Sequence, residues 1–120
     1  MKLAVIDVPL SVCKVTDAGE IDLTAGLVFV AHTADELSLV CPEDAVPRHT
    51  IAREDGWRAL RFEGTLDFGL VGILADIARV LADANVSIFA VSTFDTDYVL
   101  VRQACLERAI RALEAAGYDV

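Results

Sequence analysis

The residue types that usually carry covalent chemistry are present in this chain but are not grouped to use it. His32 and His49 have no cysteine or second histidine at ligand spacing, so the pattern offers neither a metal centre nor an acid–base pair. Cys41 follows an apolar run and precedes Pro42, with nothing beside it to depress its pKa, and reads as a buried, inert thiol. No nucleophile-elbow, zincin or P-loop signature occurs. Asp76, Asp83, Glu107 and Glu114 fall on the solvent faces of helical stretches. The expectation is a chain that is not an enzyme and uses no cofactor and no metal.

The chemistry that remains is non-covalent recognition, and two segments have the residues for it. The first is GTLDFGLVG, residues 64 to 72, where Gly64, Gly69 and Gly72 let backbone approach another group closely. A helix predicted to begin near Leu70 would aim free N–H groups and the positive end of its dipole outward, a place where a carboxylate can dock. The same residues also fit a plainer role, with Asp67 capping the helix and the glycines serving tight turns. Without a lysine or arginine the segment is a poor phosphate loop. The second segment, residues 85 to 101, sets Ser87, Ser92, Thr93 and Asp97 in an otherwise apolar strand pair. A buried hydroxyl there needs a partner, which backbone, a neighbouring chain or a ligand could supply. Asp97 could equally be a turn residue after Asp95-Thr96.

The elements that must hold these segments can be read from periodicity. The second half predicts a half-buried strand at WRALRFEG, with Leu60 and Phe62 opposite Arg61 and Glu63. An amphipathic helix follows through Leu70, Ile73, Leu74, Ile77, Leu81 and Ala84. VSIFAVSTF reads as a central strand covered on both faces, DYVLVR as another strand, and ACLERAIRALEAAG as a closing helix with Gly117 at its C-terminal cap. This β-α-β-β-α order with a stub at Tyr118 to Val120 is an α+β, ferredoxin-like pattern lacking most of its last strand. In the first half, KLAVIDV is expected to end at Pro9, followed by strands at LSVCKV, GLVFVAHT and ELSLVCP. Residues 16 to 26 have room for one helical turn. The polar segment PRHTIAREDG, residues 47 to 56, reads as a surface connection, dividing the chain into residues 1 to 50 and 56 to 120. The N-terminal strands are expected to complete the C-terminal sheet, with helices on one side of an antiparallel sheet. No repeat is evident in the residues themselves.

Composition narrows the partners. A formal charge of −9, from 19 acidic against 10 basic residues, repels phosphate backbones and anionic lipid. Nucleic acid and membrane are therefore not expected partners, and no run approaches the ~18 apolar residues of a membrane span. MKLAVIDVPL is too short for a signal peptide. Cys13, Cys41 and Cys105 are scattered and odd in number, as in a reduced, cytoplasmic chain. Hydrophobic residues reach 55%, above the ~45–50% of a usual soluble domain, so either nearly all-buried strands or an apolar surface covered by a partner is expected. Unpaired sheet edges favour a twin chain as that partner.

The stretch LDFGLVGILADIARVLADANVSIFAVSTFDTDYVLV resembles the ACT domains of aspartate kinases and, more closely, of the CASTOR arginine sensors and small stand-alone bacterial proteins of that lineage. The motif STxxTDxxLVR, here Ser92 to Arg102, follows a helix opened by a glycine-rich junction, and TADELSLVCPE and DGWRALRFEG extend the likeness upstream. The resemblance implies tandem ACT-like units, an abbreviated β-rich one over residues 1 to 50 and a full ACT domain over residues 56 to 120. It implies a regulatory, allosteric homodimer that binds a free amino acid between paired units. Gly69, Leu70, Gly72 and Ile73 would form one wall and Asn85, Ser87 and Ile88 the facing wall from a partner unit. Thr93, Phe94 and Asp97 would help hold the ligand's polar end. The arginine sensors carry an acidic residue where this chain has Leu70, so the resemblance departs from arginine and leaves a small or apolar amino acid. The alternative is a ligand-free module that docks on an enzyme or regulator as its protein partner.

Overall fold

The computed structural model describes residues 2–63 and 72–120. In chain order it has strands β1 (Leu3–Val15), β2 (Phe29–His32), β3 (Leu37–Pro42) and β4 (Thr50–Phe62), then helix α1 (Ile73–Asp83). Strands β5 (Ile88–Ser92) and β6 (Asp97–Arg102) and helix α2 (Leu106–Ala115) complete it, with 3₁₀ turns at Ala18–Glu20, Glu43–Ala45 and Gln103–Cys105. The strands hydrogen-bond in the order β2-β3-β1-β4-β6-β5, and with two helices this is the α+β, ferredoxin-like class expected. Contacts gather the chain into two compact units, Met1–Asp7 with Arg58–Val120 (the helical unit) and Val8–Trp57 (the strand unit), so β1 and β4 each give one half to either.

In the helical unit, alternation along β4 turns Leu60 and Phe62 to the same face, where they meet Ile77 and Leu81 of α1, Ala109 and Leu113 of α2, Val99 and Val101 of β6, and Leu3. Val86 joins the same core. The start of β1 lies beside β4, held by Glu63 N–H donating to Lys2 O at 2.9 Å. Arg58, its side chain only 12% exposed, adds bonds to Ile6 O at 3.1 and 3.2 Å and to Asp7 Oδ1 at 3.1 Å. An N-terminal strand thus completes the C-terminal sheet, and the terminal stub only bridges to it, through Leu3 N–H to Asp119 O at 2.7 Å. One expectation is overturned: β5 is the last strand of the order rather than a central one. Its residues are half-buried or exposed, and the fully buried strand interior is Val99 to Val101 of β6.

In the strand unit, β1 pairs with β3 from Leu10↔Pro42 to Val15↔Leu37, and β2 pairs with the other side of β3. Cys13, Val15, Leu39 and Cys41 form its core under Ile21, Val28 and Val46. Burial, followed by the neighbouring Cys13 thiol, pushes the Cys41 thiol up to about 11, the inert state expected of it. The helical turn foreseen in residues 16 to 26 is the 3₁₀ turn at Ala18–Glu20, capped by Asp17 accepting from Gly19 N–H at 2.8 Å. Two boundaries differ from expectation. Pro9 does not end the first strand, which runs through it to Val15, with pairing to β3 beginning at the next residue. Thr50 to Asp55 is strand rather than connection, and all six residues are exposed, which removes the alternation by which a strand is recognised.

The hairpins of the two units are alike. Phe29↔Val40, Val30↔Leu39, Ala31↔Ser38 and His32↔Leu37 recur as Phe89↔Leu100, Ala90↔Val99, Val91↔Tyr98 and Ser92↔Asp97, every position 60 residues on. The turns agree as well: Thr33 N–H donates to Glu36 O at 2.9 Å and Thr93 N–H to Thr96 O at 2.8 Å. Each hairpin runs on into a 3₁₀ turn, Glu43–Ala45 and Gln103–Cys105. The two hairpins thus share one register and one turn bond.

Candidate functional site

Helix α1 stops by a paired terminal hydrogen-bond motif. Val86 N–H donates to Leu81 O at 2.8 Å and Asn85 N–H to Ala82 O at 2.9 Å, while Leu81 and Val86 pack together below. The motif needs a left-handed residue, and Asn85 takes that place with φ 61°; asparagine is among the few side chains that visit this region readily. The chain then turns outward into β5 and leaves a cleft of about 450 Å³ lined by Ala78, Ala82, Asn85, Val86, Ser87 and Ile88. Ala78 and Ala82 lie one helical turn apart, and their small side chains leave the space. Asn85 brings an amide and Ser87 a hydroxyl to the lining. Arg108 of α2 donates from Nη2 to Asn85 O at 2.9 Å. The cleft is an open surface groove rather than an enclosed cavity, and its lining is shared about equally between polar and apolar atoms.

The other predicted wall is at the opposite end of α1. Gly69 and Leu70 lie outside the described residues, as do Gly64 and Asp67. Gly72 has φ 89°, which a helical residue cannot adopt, and α1 as described runs from Ile73; the start expected near Leu70 lies outside the described residues. Its first turn is marked by Asp76, whose N–H donates to Gly72 O at 2.8 Å. The Asp76 carboxylate accepts from the Tyr118 hydroxyl and from Arg79 Nη2. The Tyr118 hydrogen bond first, and Arg79 second, hold that carboxyl below its usual range. Burial, with Asp76 adding to it, pushes the Tyr118 hydroxyl up to about 12.

Thr93, Phe94 and Asp97 belong to the β5–β6 hairpin. Asp97 is the register partner of Ser92, Phe94 is 82% exposed, and the turn is fastened to the end of β4 by Thr96 Oγ1 donating to Phe62 O at 3.0 Å. The described predicted residues therefore lie at three places. Gly72 and Ile73 stand at the start of α1, and Thr93, Phe94 and Asp97 lie in the hairpin tied to the end of β4. Asn85, Ser87 and Ile88 lie at the far end of α1, whose 11 residues span about 16 Å. Sequence reasoning missed Ala78, Ala82 and Arg108, although two alanines four apart on one helix were a visible sign of a small-residue groove. Among the described residues no group of three or more histidine, cysteine or acidic side chains could hold a metal ion. No helix among them is long and apolar enough to cross a membrane.

The family model of the ACT domain matches residues 52–115, more than half of the chain. This chain belongs to the ACT-domain family. A protein of Agobacterium tumefaciens known by X-ray crystallography is similar to this ACT protein at 31% identity and TM-score 0.87, over 98% of this chain and 90% of that one. The regulatory subunit of aspartate kinase from Thermus thermophilus, in its ligand-free form, shares the fold at 10% identity and TM-score 0.66, over 96% of each chain. Aspartate kinase from Clostridium acetobutylicum, described as an allosteric enzyme, does so at 15% identity and TM-score 0.73; 95% of this chain is covered but only 33% of that one. No curated protein is matched by the sequence. The matched span includes all of α1, β5 and β6 and so all of the described candidate residues.

Proposed function

We propose that this protein is a cytoplasmic, non-enzymatic regulator that binds a free amino acid between paired ACT units of a homodimer. The observation that carries the reading is the separation of the two walls. Gly72 and Ile73 begin α1, while Asn85, Ser87 and Ile88 surround a cleft at its other end. One unit cannot close both walls on one ligand across about 16 Å of helix, so each wall needs a neighbour. Two-fold pairing supplies it, with the start of one α1 facing the cleft of its twin.

The 60-residue repeat supports a tandem origin, with an abbreviated unit first and a complete one second, in the lineage of the arginine sensors. Carried by the same offset, Asn85, Ser87 and Ile88 correspond to Ala25, Leu27 and Val28, so the polar cleft wall belongs to the complete unit alone. Ile73 at the opposing wall favours a small or apolar side chain on the ligand, as does the residue type of Leu70. Because a ligand shifts only states it binds unequally, bridging two units couples occupancy to their arrangement.

A thermal-shift screen of the purified chain against each of the common amino acids at millimolar concentration tests this. A selective rise for one or two is expected, since a ligand at about 100 times its Kd adds about 2.7 kcal/mol of stability. A flat response across the whole set contradicts the reading and favours the ligand-free docking module.

A further inference from the structure

Helix α1 carries both walls of the proposed site, one at each end, so whatever fixes its two ends decides how the walls are presented. Both ends are tied to the α2 segment. At the end of α1, Arg108 in the first turn of α2 donates to Asn85 O at 2.9 Å and to Cys105 Sγ at 3.3 Å. A guanidinium at this place also faces the negative pole of the α1 dipole, which makes the bond charge-assisted. At the start of α1, Tyr118 donates to the Asp76 carboxylate. Tyr118 is itself fixed, because Gly117 at φ 97° turns the chain out of α2 and Tyr118 N–H closes on Leu113 O at 3.0 Å. The next residue accepts from Leu3 N–H at 2.7 Å. Arg79 lies on α1 itself, so it aims the Asp76 carboxylate without joining the helices.

Between these ties the helices meet through Ile77, Leu81, Ala109 and Leu113, all at 1% exposure or less. Apolar packing is non-directional and tolerates small slides of one helix along another. Two directional bonds at opposite ends do not. Resting on the wall assignment above, we propose that α2 clamps α1 at two points, with Arg108 and Tyr118 as positioning residues for the cleft wall and for the helix-start wall. A ligand that displaces α1 then moves α2 with it, which makes α2 the element that reports occupancy.

The test uses the full chain with Arg108→Met, which keeps the aliphatic stem, Tyr118→Phe, which keeps the ring, and the double variant. Without ligand, residue-resolved amide exchange is expected to rise about three- to tenfold near Asn85 and Val86 in the first and near Asp76 and Ile77 in the second. The strand unit should be unaffected in both. Unchanged exchange at both ends, or an even rise across the whole chain, overturns the clamp. With an amino acid that stabilises the parent chain, each variant should weaken binding several-fold, and Arg108→Lys should recover part of the loss. Parent-like affinity in both variants also overturns the positioning role. If the parent responds to no amino acid, the ligand reading fails, while the exchange data still judge the clamp.

Discussion

Phe62→Ala is expected to remove about 3–5 kcal/mol from the free energy of unfolding. Phe62 closes β4 with 1% exposure, packed in the core that joins both helices to the sheet of the helical unit. Its carbonyl also receives the Thr96 hydroxyl, a bond that the substitution leaves in place because it is to backbone. The loss is therefore a packing loss, made of the transfer energy of the ring and the cavity left behind. Against the ~5–15 kcal/mol that stabilises a typical domain, it brings the helical unit close to unfolding at ambient temperature. Urea denaturation followed by circular dichroism measures it. A change below about 1 kcal/mol would mean that this core is not the one holding α1 and α2 to the sheet.

Ala82→Trp is expected to abolish the response to the amino acid while leaving the fold intact. Ala82 is an exposed residue on α1 whose side chain lines the cleft. An indole brings ~150–250 Å² of surface into a cleft of about 450 Å³ and occupies the place of the ligand. The cost to the helix is only the roughly 0.5 kcal/mol by which tryptophan is a poorer helix former than alanine. Melting curves with and without the amino acid separate the two effects: a parent-like melt that no longer moves on addition is the expected pair of results. A variant that still responds like the parent would place the ligand elsewhere. Ser87→Ala is the milder companion, removing one hydroxyl from the same lining and weakening the response rather than erasing it.

How much of this could be read from residues depends on how each element is buried. Helix α2 and the stretch Leu60 to Glu63 at the end of β4 alternate between buried and more exposed positions, so their periodicity is plain. The polar face of Thr50 to Asp55 has no dry counterpart, and an exposed strand of that kind looks like a loop. The run at Ile88 to Ser92 misleads in the opposite sense: its apolar residues imply two covered faces, yet it is an edge strand. An apolar edge of this sort is what a pairing partner would cover. The break at Gly72 could not be read from periodicity, because its left-handed backbone precedes Ile73 without interrupting the apolar pattern.

The site was legible only in part, and mainly through the family resemblance. Asn85, Ser87 and Ile88 came from that likeness, since asparagine and serine after a helix are ordinary turn residues by themselves. Ala78, Ala82 and Arg108 drew no reading from the sequence, because a cleft and a cross-helix bond exist only once α1 and α2 are packed. The tandem units were expected from the family resemblance, and the likeness of the two hairpins is faint in the residues themselves for a related reason. Thr33 and Thr93, Asp35 and Asp95, and Phe29 and Phe89 match, but Leu37 against Asp97 and Leu27 against Ser87 do not. Sheet register survives such exchanges, because it is written in backbone bonds and in which face is buried.

The central claim is that a free amino acid occupies the cleft at the end of α1. Nuclear magnetic resonance of the isotope-labelled full chain, titrated with each common amino acid, tests it most directly. The account predicts saturable movement of the Ala78 and Ala82 methyl signals and of the Asn85 to Ile88 amides with one or two of them, while signals of the strand-unit core at Val15 and Leu39 stay still. No movement with any amino acid, or movement confined to the strand unit, would contradict it.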